Sequence, residues 1–218
     1  MTAMIRNLAS AGLLLAVASG CAALRAAPPS PELASRGSIL FQDDFSGRLG
    51  GWDRLKASEG IMDYDSGGFR IVVNQVETNF WTSPRKSYAD AQVEVDAAKL
   101  AGPDENRIGL ICRRTGDRYY FFMVTSDGYY GIGLFSDGLA SLLGQSQLEF
   151  NDRILTGMAV NHLSAECAGD RLSLEVNGVP LASVSDSSLT SGDVGLLAGT
   201  FGEGGTDIIF DNFIVRAP

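Results

Sequence analysis

The sequence is poor in the residues from which most active sites are built. It holds one histidine, His162, and three cysteines, with Cys21 far from Cys112 and Cys167. One histidine cannot make a zinc site of the usual kinds, which draw three or four ligands from His, Cys and carboxylates. Standing in Asn161-His162-Leu163, it reads as a surface or hairpin-edge residue. No Gly-x-Ser-x-Gly is present, which excludes the nucleophile elbow of the α/β-hydrolases. No segment of helical period follows Cys21, so Gly131-Ile132-Gly133 and the glycines from 199 to 205 open no helix. They are turn and strand glycines, not phosphate loops. Cations are scarce too: 17 Lys and Arg face 26 Asp and Glu, for a net charge of -9. A surface that acidic repels phosphate, which argues against nucleic acid and anionic lipid headgroups as partners.

The longest apolar run, Leu8 to Val17, is too short to span a bilayer. Arg6 precedes it and Ala18-Ser19-Gly20-Cys21 follows, which is the order of a secretory signal. Small residues directly before a cysteine resemble a bacterial lipobox, although Ala18 stands where that pattern usually has Leu. The expectation is a signal peptide over 1–20 and lipidation of Cys21 as the mature N-terminus. Cleavage by ordinary signal peptidase is the alternative. Acyl chains on Cys21 would hold the protein to the outer face of a bacterial membrane, at the cell surface or in the periplasm, without a transmembrane helix. Residues 21–38 are mostly Ala, Pro and Ser and cannot repay their ordering entropy by burial. They read as a tether, leaving 39–218 for the folded domain.

That domain is written in short β-branched and aromatic segments cut by turn pairs. Gly116-Asp117, Asp127-Gly128, Asp137-Gly138, Gly169-Asp170 and Asn177-Gly178 separate runs too short for helices. Such pairs supply the positive φ that tight hairpins need. Val93, Val95 and Ala97 alternate with Gln92, Glu94 and Asp96, which predicts a strand with one wet face. Tyr119 to Val124 is apolar on both parities and should be covered on both sides, by a second sheet, a ligand or both. About a dozen strands are expected, more than one open sheet holds without doubling. The predicted fold is all-β, an antiparallel two-sheet sandwich.

Phe41-Gln-Asp-Asp-Phe-Ser-Gly47 before Trp52, RIGLICRR with RYYFFMV, RLSLEVNG, and the closing SGDVGLLAGTF with FDNF resemble the concanavalin A-like jelly-roll superfamily. Laminin G-like and 3-keto-disaccharide hydrolase-like domains of bacterial lipoproteins are the most similar branches. The resemblance implies a jelly roll over nearly all of 39–216 but says little of activity, because this fold hosts lectins, adhesion modules and glucanases. Similar glucanases carry Glu-x-Asp-x-x-Glu on one strand. Here Glu94 and Asp96 begin the pattern and Lys99 ends it, so the second carboxylate is missing. The superfamily often holds Ca²⁺ where the chain ends pair, which would make Asp43, Asp44 and Asp211 its ligands. Otherwise they satisfy turn backbone, and no other cofactor is implied.

Cys112 shares a strand parity with Ile108 and Leu110, and Cys167 with Leu163 and Ala165. Both thiols point to an apolar side, as a disulfide or as two buried free cysteines. An oxidising compartment favours the disulfide. The best ligand signal is aromatic: Trp52, Trp81, Tyr119, Tyr120, Tyr129 and Tyr130 cannot all be core. Tyr119 and Tyr120 point to opposite faces, as do Tyr129 and Tyr130. A bare ring is a surface on which sugars stack, and Arg113 and Arg114, with Arg107 and Arg118, could bind hydroxyls or carboxylates. The expectation is a membrane-anchored, non-catalytic module for glycan or another envelope polymer. The alternatives are a glycoside hydrolase and an adhesive or structural protein with a protein partner.

Overall fold

The computed structural model describes residues 35–218; Cys21 and the expected signal peptide lie outside the described residues. In chain order the strands are β1 (Ile39–Asp43), β2 (Leu55–Ala57), β3 (Gly60–Asp65), β4 (Gly68–Val73), β5 (Asn79–Thr82), β6 (Ser87–Tyr88), β7 (Ala91–Ala101), β8 (Asn106–Thr115) and β9 (Arg118–Val124). They continue as β10 (Tyr129–Ser136), β11 (Leu139–Leu142), β12 (Glu149–Phe150), β13 (Asn161–Ala168), β14 (Arg171–Val176), β15 (Val179–Ser185), β16 (Gly192–Thr200) and β17 (Thr206–Arg216). All pairings are antiparallel, and no helix occurs among the described residues. The dozen strands expected become 17 because short pieces such as β6 and β12 carry no alternation of their own. They are strands only because β16 and β10 offer them partners.

One sheet has nine strands, ordered β15-β14-β13-β7-β17-β4-β3-β2, with β1 continuing the row of β4 along the far half of β17. The other has eight, ordered β11-β10-β9-β8-β16-β5, with β12 on β10 and β6 on β16. Turn chemistry explains the meander. Asp137-Gly138 and Asn177-Gly178 hold positive φ at both positions (54° and 78°, 53° and 78°), as the tightest hairpins require. On β7 the odd positions from Ala91 to Lys99 are buried and the even positions to Ala98 half-buried, the alternation the sequence predicts.

Between the sheets lies one continuous core, with Phe69, Ile71, Val93, Val95 and Phe210 facing Leu110, Tyr120, Phe122, Ile132 and Leu196. Cys112 of β8 and Cys167 of β13 are joined by a disulfide across it, tying one sheet to the other. At one end Phe45, Trp52, Tyr64, Phe69 and Phe213 form an aromatic cluster, with Trp52 and Phe213 edge to face at 4.9 Å. Trp52 is therefore a core residue and offers no face to a ligand. Its indole N–H donates to Asp43 Oδ2 at 2.9 Å, as a buried indole requires. Ala34–Pro218 is a single compact unit that contains both sheets, the core and the disulfide. The end of the expected tether belongs to it: Gly37 N–H donates to Ala217 O at 2.8 Å and Ala217 N–H to Ser38 O at 3.0 Å.

Candidate functional site

The two outer faces differ in chemistry. Outside β7, β13 and β14 the nine-stranded sheet presents Gln92, Glu94, Asp96, Ser164, Glu166, Ser173 and Glu175, with no Tyr, Trp or Phe. The weak catalytic candidates sit here, both engaged. Glu94 accepts from Arg216 Nε at 3.1 Å and from Gln92 Nε2 at 3.0 Å. Asp96 accepts from Asn212 Nδ2 at 2.9 Å and lies 2.8 Å from His162 Nδ1. Lys99 turns inward, its ammonium held by Asp104 and by Gly102 O.

The outer face of the eight-stranded sheet is apolar. Register sets one row as Trp81, Leu197, Gly109, Met123, Gly131 and the next as Gly195, Ile111, Phe121, Gly133, Leu142. Large side chains alternate with glycines, so rings lie down over their neighbours. A Cβ on Gly133 would sit 2.1 Å from Phe121 Cζ, which only glycine permits. Tyr119 and Phe135, facing each other on β9 and β10, stack at 5.0 Å and 15°. This second small core is what the two-sided apolarity of β9 predicted: its inner parity is covered by the other sheet, its outer parity by Leu142, Leu148, Phe135 and Phe201.

The cover is incomplete. A pit of about 200 Å³ remains, lined by Tyr119, Phe121, Met123, Phe135, Leu197 and their neighbours, with Arg107 and Asn79 as its polar groups. Arg107 holds its guanidinium 4.0 Å from the Phe201 ring and donates to Asn79 Oδ1 at 2.9 Å and Glu77 Oε2 at 3.2 Å. Beside the pit, sharing Leu148 and Phe201 with it, lies a more polar shelf of about 440 Å³ lined by Glu105, Thr125, Asp127, Tyr129 and Gln147. Tyr129, 40% exposed, meets Phe150, 60% exposed, edge to face at 5.6 Å. Two accessible rings thus stand beside three side chains that can hydrogen-bond hydroxyls, Glu105, Asp127 and Gln147; Thr125 is buried and donates to Asp127.

The predicted ligand residues divide along these lines. Tyr129 is on the shelf and Tyr119 in the pit wall, while Tyr120 and Tyr130 point into the core, as parity requires. Tyr120 is fixed by Asp186 and Leu189, and Tyr130 donates to Glu149 Oε2 at 2.9 Å. Neither presents a ring to solvent. Trp81 is on the outer face, but Arg114 lies over its ring at 3.5 Å and covers the face a ligand would need. Arg113 is 2% exposed and spends its donors on Ala89 O, Leu189 O and Asp90. It is a structural residue, because the β-bulge after Cys112 turns its side chain inward.

The calcium trio does not assemble. Asp43 accepts from Phe45 N–H and Trp52, Asp44 from Ser46, and Asp211 from Asn212 N–H. Among the described residues no group of three His, Cys, Asp or Glu is placed to share a metal. Sequence reading missed Phe150, Glu105, Asp127, Gln147, Phe121 and Leu197. Phe121 and Leu197 were signalled by strands apolar on both parities; the others reach the site only through loops and register.

Burial pushes the Tyr119 phenol up to about 12, against an ordinary value of 10.0, with Arg114 and Arg107 acting the other way. A raised phenol favours its neutral form in the fold. Its contribution is therefore intact below about pH 10 and lost as pH climbs towards about 12, at no more than about 1.4 kcal/mol per pH unit. Tyr119→Phe keeps the stack on Phe135 and removes the titration. Denaturant unfolding at about pH 9 and about pH 11 should show the variant losing less stability than the native protein. Equal losses would contradict this account.

No family model and no characterised protein matches the chain by sequence. Among solved structures, it is similar to the carbohydrate binding module CBM66 from Bacillus subtilis (TM-score 0.52, 19% identity, 77% of this chain and 96% of that one). A protein of unknown function with a galectin-like fold, also from Bacillus subtilis, superposes with TM-score 0.60 at 12% identity, over 84% and 97% of the two chains. The GH43 protein BlXynB from Bacillus licheniformis gives 0.59 at 15% identity, over 81% of this chain and 39% of that one. At such identities these likenesses concern the fold, a jelly-roll β-sandwich.

Proposed function

We propose that this chain is a non-catalytic binding module for a glycan, held outside the cytoplasm by a lipid on Cys21. The observation that carries the reading is the shelf: Tyr129, with Phe150 against it, both exposed beside Glu105, Asp127 and Gln147. Sugars present an apolar face of C–H groups and a rim of hydroxyls, and a ring beside short polar side chains meets both. The aromatic-free face of the other sheet offers only the second half of that recognition. A jelly roll shared with a carbohydrate binding module supports the same reading. So does the leader, which sends the chain where polymeric glycans are found.

A glycan array with Ala34–Pro218 tests it. Binding to a defined set of glycans is expected, weakened about tenfold or more by Tyr129→Ala with Phe150→Ala, since each ring contact is worth roughly a kcal/mol. An array with no binding removes the lectin reading. A second reading draws on Glu105 and Asp127, two carboxylates lining one depression: a hydrolase would shorten the bound glycans, and Glu105→Gln would stop it. The anchor is checked by metabolic labelling with an acyl precursor, which Cys21→Ala should abolish.

A further inference from the structure

The pit beside the shelf has a chemistry of its own. A dry cavity of about 150 Å³ lined by apolar side chains is large enough to take benzene. The pit, at about 200 Å³, exceeds that by a few heavy atoms. Four of its lining side chains are aromatic, the Tyr119–Phe135 stack, Phe121 and Phe201, set among aliphatic ones such as Met123, Leu142 and Leu197. Aromatic pairs gain beyond their buried area, so a ring suits these walls better than an alkyl chain. The one charge lining it is positive, on a protein whose net charge is -9. Arg107 uses only Nη1 and Nη2 in hydrogen bonds, and one of these goes to Glu77, an exposed side chain at 3.2 Å. Its stacking on Phe201 holds the guanidinium in place while leaving N–H donors for an anion.

The geometry points to a binding site for a small aromatic carboxylate, its ring in the pit and its carboxylate on Arg107 in the place of Glu77. The proposal stands on the pit alone and does not depend on glycan binding at the shelf. Such a group could arrive as a free acid or as an aryl acid carried on a larger molecule. Hydrocinnamate, with a two-carbon spacer between ring and carboxylate, probes the shared chemistry.

Calorimetric titration of Ala34–Pro218 with hydrocinnamate and with its uncharged amide tests the site. The acid is expected to bind at one site, about tenfold or more tighter than the amide, because a hydrogen bond to a charged group is stronger than one to a neutral group. Glu77→Gln removes the internal competitor and should tighten the acid severalfold without changing the amide. Arg107→Met should erase the preference for the acid. Ala140→Phe, at an exposed position of β11 that lines the pit, should fill it and abolish binding of both compounds. A far-ultraviolet spectrum and melting curve like the native protein's confirm that this variant is folded. No heat with hydrocinnamate at millimolar concentration, equal affinity for acid and amide, or undiminished binding by Ala140→Phe would each overturn the proposal. A glycoside of 3-(4-hydroxyphenyl)propanoate, joined through the phenol so that the carboxylate stays free, separates the two sources: tighter binding than 3-(4-hydroxyphenyl)propanoate itself identifies a carried group, weaker binding a free one.

Discussion

Replacing both Cys112 and Cys167 by alanine should lower the melting temperature by roughly 8–16 °C. The disulfide spans 55 residues and joins β8 to β13, one strand from each sheet. On the chain-entropy account, closing a loop of that length removes about 4 kcal/mol of freedom from the unfolded chain. For a domain of this size each kcal/mol moves the melting temperature by roughly 2–4 °C. Both sulfurs are buried, so the alanines also leave a small void, which adds to the loss. Calorimetry of the native protein, oxidised and fully reduced, isolates the cross-link from the void. Identical melting curves for those two forms would show that the bridge carries no stability.

Arg113→Met should destabilise by about 3 kcal/mol while leaving any ligand affinity unchanged. Methionine keeps most of the aliphatic stem. What it deletes is three donors: Nε to Ala89 O at 2.7 Å, Nη1 to Leu189 O at 2.9 Å and Nη2 to Asp90 at 3.0 Å. A buried group that loses its partner costs about 1–3 kcal/mol, and two carbonyls are stranded here. Asp90 has water to turn to, being 52% exposed, and adds little. Arg113→Lys should fall between, since one ammonium cannot reach all three acceptors in the guanidinium's plane. Denaturant unfolding gives the loss, and binding measured on the same samples gives the control. A stable variant with weakened binding would return Arg113 to the ligand site, where its sequence neighbourhood had placed it.

The case of Arg113 shows what a linear reading can reach. Alternation on β7 and positive φ at Asp137-Gly138 and Asn177-Gly178 are local, so strands, turns and the two-layer fold were legible. The pointing of Tyr119 and Tyr120 to opposite faces followed from parity alone. Strict parity fails at a bulge, and the one after Cys112 sends Arg113 inward next to Arg114, which lies outside on Trp81. Trp52 and Trp81 look alike in the sequence; only the pairing of distant strands puts one among Phe45, Phe69 and Phe213 and the other under a guanidinium. The shelf was less legible still. Glu105, Asp127 and Gln147 come from three separate connections, and Phe150 joins Tyr129 only through the two-residue pairing of β12 with β10.

Gly37 and Ser38 are hydrogen-bonded to Ala217, so the folded unit begins and finishes at one spot on its surface. A body entered and left through the same doorway can be spliced into a surface loop of an unrelated protein without prising that loop apart. The aromatic pit and shelf lie on the outer face of the sheet that contains neither β1 nor β17, so a host joined at that doorway would attach to the opposite layer. On the proposed function, the glycan would then be met by one sheet while attachment to a host falls to the other.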